Sequence, residues 1–300
     1  MLALIIWLVL ACSPSPLSQP VVFASPDSPR LRQVVAGLQK SWGPQPLEVA
    51  VAPEFGPQGQ EALRRLRSRR PPLIIVLGTP ALIRTAPAEK TLPVVFALVA
   101  NPYFTGAAYD PRHPEIHQQN ITGLASPPPL AAALEQGARL LGPCPWGMLY
   151  DPLDGEALEL AAQFPREARR LGLTPLLEQS SDPEGDARGL ARLLKRGARV
   201  IYLPPAKTAS RYAPQLLAWG REGKVLVVSS HPEIPPQGAI LYVALDYEKL
   251  GQETAALARR VLNGESPARI PITEKIPLKV KVDETLLTRL MGYPAPGRIR

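Results

Sequence analysis

Three hundred residues carry a formal charge of +8, with 45% apolar and 20% charged side chains. That length predicts two domains of about 100–200 residues each, and the balance of apolar and charged groups excludes an intrinsically disordered chain. The 37 prolines fall mostly between apolar runs, as in Pro71-Pro72, Pro204-Pro205 and Pro235-Pro236, which predicts many short, stiff connections and no single long linker.

The chain begins with a nearly pure hydrocarbon run, Leu2 to Ala11, too short to span a bilayer as a stable helix and suited to the core of an export signal. Val9-Leu10-Ala11-Cys12 resembles the lipobox of bacterial lipoproteins, which makes Cys12 the expected lipidation site; a plain cleaved signal and an uncleaved anchor stay open. Ser13 to Pro20 is Ser/Pro-rich and reads as a tether. Residues 1–19 are therefore expected to be signal, lipobox and tether. With Cys12 acylated, Cys144 has no partner for a disulfide and reads as a small buried apolar residue.

Val21 to Ala24 is a short apolar run followed by Ser25-Pro26-Asp27-Ser28, which is turn chemistry and a helix cap. Leu31, Val34, Val35, Leu38 and Trp42 then recur at helical spacing. Leu47 to Ala52 predicts a second strand. Arg64, Arg65, Arg67, Arg69 and Arg70 share a helical pattern with the inward-facing Leu63 and Leu66 and have no interleaved aromatic. They read as a solvated helix face, so no nucleic-acid partner is expected.

Leu73 to Leu77 predicts a third strand, then Thr79 a cap and Pro80 the first helical turn, leaving backbone N–H groups pointing outward. Leu92 to Val99 is a continuous apolar run that breaks at Asn101-Pro102. The aperiodic, aromatic segment from there to Asn120 reads as a crossing between two lobes.

After it the rhythm restarts. Leu130, Leu134 and Leu141 mark a helix, Trp146 to Tyr150 a strand, and Glu156 to Leu171 a helix that Pro165 is expected to kink or divide. Strands follow at Leu173–Leu177, Val200–Leu203, Val225–Val228 and Ala239–Leu245, with helices around Asp186–Arg196, Ala209–Gly220 and Glu248–Asn263. Ile276 to Val282 alternates apolar and basic residues, the pattern of an edge strand.

Alternating strands and helices predict an α/β fold of two doubly wound parallel-sheet lobes joined by a multi-crossing hinge. The expected division is 20–121 plus about 246–270 for the first lobe and 122–245 plus about 271–300 for the second. Ligands of such sheets bind beyond the C-terminal strand ends. Ser25, Thr79, Asn101, Tyr150, Asp151, Pro204, Ser229 and Asp246 stand there.

Several segments in order carry a family resemblance. They are Gly78-Thr79-Pro80-Ala81, Leu92 to Ala97 leading to Asn101-Pro102, Asn120-Ile121-Thr122-Gly123, Tyr202-Leu203-Pro204, Leu245 to Gly251, and Val261 to Pro267. Together they resemble the tryptophan/tyrosine-type family of ATP-binding-cassette transporter substrate-binding proteins. The resemblance spans roughly residues 20 to 292. It implies a type I periplasmic-binding fold, three crossings between lobes, capture of a small solute in the interlobe cleft, and delivery to a permease without chemistry.

Carried onto this chain, the resemblance implies that Thr79 and the helix N-terminus behind it hold a carboxylate while Asp246 accepts an ammonium group. Asn101 and Ser229 or Ser230 add hydrogen bonds, and Tyr103, Phe104, Tyr150 and Tyr202 pack the ligand side chain, an arrangement suited to a zwitterionic amino acid.

No catalytic residue, metal or cofactor is expected. His113 and His117 have a metal spacing only on a helix, which Pro111 and Pro114 oppose, and His231 beside Ser229 and Ser230 has neither a nucleophile elbow nor an evident acid. The leading expectation is a monomeric solute receptor, lipid-anchored to the cell membrane or periplasmic, whose partners are a small-molecule solute, a permease and, through the anchor, the membrane. A membrane-tethered ligand-sensing module for a receptor or kinase is the alternative.

Overall fold

A computed structural model describes residues 19–273 and 277–291; the expected signal, lipobox Cys12 and most of the tether lie outside the described residues. Contacts divide the chain into two units, one running to Ala125 and including Gly251–Thr273, the other comprising Ser126–Leu250 and the segment after Thr273. The chain thus passes between units three times. Among the described residues, no helix is long and apolar enough to cross a membrane.

The first unit contains β1 (Val21–Ala24), α1 (Pro29–Trp42), β2 (Glu48–Val51), α2 (Gln58–Ser68), β3 (Ile74–Leu77), α3 (Thr79–Ala88), β4 (Val94–Val99) and β5 (Ile121–Ala125). Its strands lie in the order β2-β1-β3-β4-β5 and all pair in parallel. The runs that form β1 and β3 are fully buried because helices cover both faces. Val21 and Phe23 of β1, Ile74 and Val76 of β3, Leu63 and Leu66 of α2 and Leu82 of α3 share one core. α1 starts where Ser28 Oγ accepts the Leu31 N–H at 3.1 Å, with Pro29 opening the first turn.

The second unit follows with α4 (Leu130–Leu141), β6 (Pro145–Tyr150), α5 (Gly155–Arg170), β7 (Thr174–Gln179), α6 (Pro183–Lys195), β8 (Val200–Leu203), α7 (Ala213–Glu222), β9 (Leu226–Ser229) and β10 (Leu241–Leu245). Helix α8 (Tyr247–Leu262) begins in this unit and continues in the first, and β11 (Leu278–Val282) and α9 (Glu284–Met291) complete it. Its sheet order is β11-β10-β9-β8-β6-β7, parallel except for the antiparallel β10–β11 pair. The first five strands of each sheet therefore wind identically, second-first-third-fourth-fifth. The direction of winding reverses between β1 and β3 in one sheet and between β6 and β8 in the other, the places where doubly wound sheets bind ligands.

Three expectations need correction. The segment after Asn101 is not a crossing between lobes: Val94 pairs with Ile121, so β4 and β5 are neighbours in one sheet and the connection stays within the first unit. The first passage between units comes after Ala125, and Asp246 falls in the second unit, not the first. Pro165 does not divide its helix. α5 runs unbroken because its stripe of Ala157, Leu160, Ala161, Phe164 and Ala168 is buried, which outweighs one missing backbone hydrogen bond.

The basic face of α2 is locally neutralised. Arg64 and Arg65 pair with Glu61, Arg67 with Glu89 and Arg69 with Glu48.

Candidate functional site

In the first unit the turn out of β3 sets the geometry. Gly78, not Thr79, is the cap residue of α3. It holds φ at +99°, donates to Ala97 O at 3.0 Å, and lies so close to Ser25 that a Cβ there would strike the Ser25 carbonyl oxygen. Ser25 is buried at the end of β1, its N–H donating to Leu77 O at 3.1 Å and its hydroxyl to Pro53 O at 3.1 Å. Ser25 and Thr79 thus stand side by side at the β1/β3 reversal. Thr79 is half-buried, and its hydroxyl has no hydrogen-bond partner among the described residues.

The end of β4 is bent. Register against β5 shifts between Phe96 and Val99, and Leu98 takes the left-handed φ of +58°, a strained conformation for a leucine. The bend brings the short 3-10 helix Pro102–Thr105 onto α3. Asn101 caps that turn, its Oδ1 accepting the Tyr103 N–H at 3.1 Å, which leaves its Nδ2 amide without a partner among the described residues. Tyr103 is half-buried and packs against the first unit's core.

Sequence reasoning missed Arg84, which reaches the same corner. Its guanidinium donates to Pro80 O at 3.2 Å, to Pro53 O at 3.2 Å and to Glu54 O, and lies 3.4 Å from Ser25 Oγ.

In the second unit the strand-end residues have more partners. Asp151 is buried; Arg211 Nη1 donates to its Oδ2 at 2.7 Å and the Leu153 N–H to its Oδ1 at 2.9 Å. The same guanidinium donates to Asp186 Oδ2 at 3.0 Å and to Ser180 O at 3.3 Å. Donation to Asp186 and then to Asp151 pushes the Arg211 pKa further above its ordinary value. Asp151 is therefore engaged in holding the loops that carry Arg211 and Leu153. Tyr150 is half-buried beside the second unit's core, and its backbone carbonyl accepts the Ser180 N–H.

Ser229 ends β9, buried, its Oγ accepting the His231 N–H at 3.2 Å. His231 Nδ1 accepts from Glu233 N at 3.3 Å, which puts the ring proton on Nε2, where it is donated to Ser210 Oγ at 3.1 Å. A histidine in that tautomer cannot take a proton from this serine. Asp246 precedes α8 and caps it: its Oδ1 accepts the Lys249 N–H at 3.1 Å and lies 3.1 Å from Lys279 Nζ.

His113 and His117 do not meet as metal ligands. His117 is buried, with its ring nitrogens at Gln118 O and Ile270 O, while His113 faces Glu115. Among the described residues, no group of three or more His, Cys, Asp or Glu is arranged to hold a metal ion.

The model of a protein family described as ABC transporter substrate binding protein matches residues 58–291. A tyrosine-binding protein of Clostridioides difficile is 21% identical over 235 residues, 78% of this chain and 67% of that protein. Among solved structures, the ligand-free, open form of a substrate binding protein with adhesive properties from Clostridium difficile superposes with a TM-score of 0.75 at 18% identity, covering 94% of this chain and 97% of that one. A domain from Streptococcus pneumonia in complex with L-Trp gives 0.65 at 20% identity, covering 93% and 96%. At these identities the structural matches establish a shared fold.

Proposed function

Because the chain belongs to the ABC transporter substrate-binding protein family, we propose that it captures a small zwitterionic solute of the amino-acid class outside the cytoplasm and delivers it unchanged to a membrane permease. The reading is carried by two groups at adjacent strand ends of the first unit, the Thr79 hydroxyl and the Asn101 Nδ2 amide, both without protein partners among the described residues. Half-buried groups in that state are open to exchange water for the polar atoms of a ligand. The names of the relatives, one tyrosine-binding and one complexed with L-Trp, support the amino-acid class.

In this reading Thr79, with the N–H groups that open α3, receives the solute carboxylate, and Asn101 donates a further bond. Asp246 accepts the ammonium group in competition with Lys279. Tyr103 and Tyr150 pack the solute side chain, and the Ser25 and Ser229 hydroxyls shape the polar ends. An acyl group on Cys12 keeps the monomer at the membrane, where the permease collects the solute.

Calorimetric titration of the purified chain with each common L-amino acid tests the assignment. Saturable one-site binding of at least one of them is expected, weakened at least tenfold in a Thr79→Val, Asn101→Leu double variant. Binding of none, or binding indifferent to the double variant, overturns it. Metabolic labelling with radioactive palmitate, lost on Cys12→Ser, checks the anchor.

A further inference from the structure

Arg84 lies about one turn into α3, half-buried. Every group its guanidinium touches is neutral: the carbonyl oxygens of Pro80, Pro53 and Glu54 and the hydroxyl of Ser25. Among the described residues no carboxylate lies within ion-pair distance of it, whereas Arg64, Arg65, Arg67 and Arg69 on the neighbouring helix and its exit all have acidic partners.

Its surroundings make that isolation notable. A Cβ placed on Gly59, in the first turn of α2, would meet Arg84 Nε at 2.6 Å, so the guanidinium rests directly against the start of α2. It also reaches back to the first turn of its own helix, where it donates to Pro80 O at 3.2 Å. Both helix ends carry partial positive charge, and a cation is disfavoured there. The acid in the first turn of α2, Glu61, is engaged by Arg64 and Arg65. Three sources of positive potential therefore converge at the C-terminal edge of the first sheet, beside the β1/β3 reversal, and among the described residues the acid nearest in the chain to the α2 start, Glu61, is turned to Arg64 and Arg65 and not to Arg84. A local conflict of this kind, held in place by several neutral hydrogen bonds, is what a site for an incoming anion requires.

We propose that Arg84 provides the charged anchor for the carboxylate of the captured solute, with Ser25 beside it. The inference rests on the solute-binding reading above and adds to it a residue and a requirement for negative charge on the ligand. The bonds to Pro80 and Pro53 keep the guanidinium oriented. The long contact to Ser25 and the bond to Glu54 O exchange for the carboxylate oxygens, giving charge-assisted hydrogen bonds from Nη1 and Nη2.

Wild type, Arg84→Gln and Arg84→Lys are titrated calorimetrically with L-tyrosine, L-tryptophan, their carboxamides, succinate and inorganic phosphate. The expected result is that an amino acid binds wild type, loses at least tenfold in affinity in Arg84→Gln, and recovers most of it in Arg84→Lys. Its carboxamide binds wild type no better than the acid binds Arg84→Gln. Equal affinity of the acid for wild type and Arg84→Gln, or of acid and amide for wild type, overturns the assignment of Arg84 and leaves the solute-binding reading standing. Succinate binding that depends on Arg84, with no amino-acid binding, upholds the anchor and overturns the amino-acid class. Phosphate binding alone, or no binding of these ligands or of any other common L-amino acid, overturns both. Circular dichroism identifies a variant that fails to fold, and the comparison of acid with amide on wild type needs no variant.

Discussion

Lys279 Nζ lies 3.1 Å from Asp246 Oδ1, so the carboxylate proposed to accept a ligand ammonium already has a cation from the neighbouring strand. That oxygen also caps α8 through the Lys249 N–H. The two roles separate by substitution. Lys279 is substantially exposed, so its pair with Asp246 is worth about 0–1 kcal/mol, and Lys279→Met is expected to raise amino-acid affinity by no more than about fivefold. Asp246→Asn keeps a capping oxygen and removes the charge, which weakens capture by about 1–3 kcal/mol. Asp246→Ala additionally costs about 1 kcal/mol of folding stability through the lost cap. Calorimetry and urea unfolding read the two effects apart; unchanged affinity in Asp246→Asn removes Asp246 from the site.

Asp151 is expected to behave in the opposite way. With its carboxylate on Arg211 at 2.7 Å and only 5% of the residue exposed, Asp151→Ala leaves a half-buried guanidinium with Asp186 as its remaining carboxylate partner beside the Ser180 carbonyl. The expected cost is about 2–4 kcal/mol of stability, below the full penalty for a buried pair because Arg211 retains some solvent contact. Urea unfolding should register that loss while ligand affinity stays within about twofold. A variant of wild-type stability that no longer binds would return Asp151 to the ligand.

These contrasts show what the sequence makes legible. Apolar runs such as Leu73 to Leu77 and caps such as Ser28 are local patterns, and each became the expected strand or helix start. The segment after Asn101 was misleading because a proline break and a long aperiodic stretch look alike at a lobe boundary and within a lobe. Only the pairing of Val94 with Ile121, a non-local fact, distinguishes them. Strand-end position was readable for Asp151, but its partner Arg211 stands 60 residues further on. Residue type points to Thr79 as the cap, whereas the turn needs a residue without a Cβ at Gly78. Arg84 gave no signal at all, since its partners are backbone carbonyls.

Glu89 predicts a pH dependence. Burial alone would raise its pKa, yet the N–H groups of Leu92 and Thr91 and the guanidinium of Arg67 hold it down to about 2, against an ordinary value of 4.5. With the folded value depressed, the unfolded chain takes up the proton first. The contribution, about 3 kcal/mol, is present above the unfolded value and is lost as pH falls from about 4.5 towards 2. Urea unfolding of wild type and Glu89→Gln should therefore differ clearly near neutral pH and converge in strong acid. Parallel profiles across that range would mean that Glu89 is not the titrating group.

Gly78 offers the most direct test of the β1/β3 corner, because its backbone is both strained for other residues and crowded. Its φ of +99° disfavours any side chain, and a Cβ would strike the Ser25 carbonyl oxygen, which cannot swing away without pulling β1 from β3. Gly43 makes the control: its φ is +123°, but nothing lies within 4 Å of an added Cβ. Gly43→Ala should cost about 1 kcal/mol from conformation alone and leave ligand affinity intact. Gly78→Ala adds the clash, for a total of about 2–4 kcal/mol, and it displaces Ser25 and Thr79 together, so affinity should fall with stability. If the two alanine variants lose the same stability and both bind as wild type does, the close approach of Gly78 to Ser25 has no part in positioning the ligand.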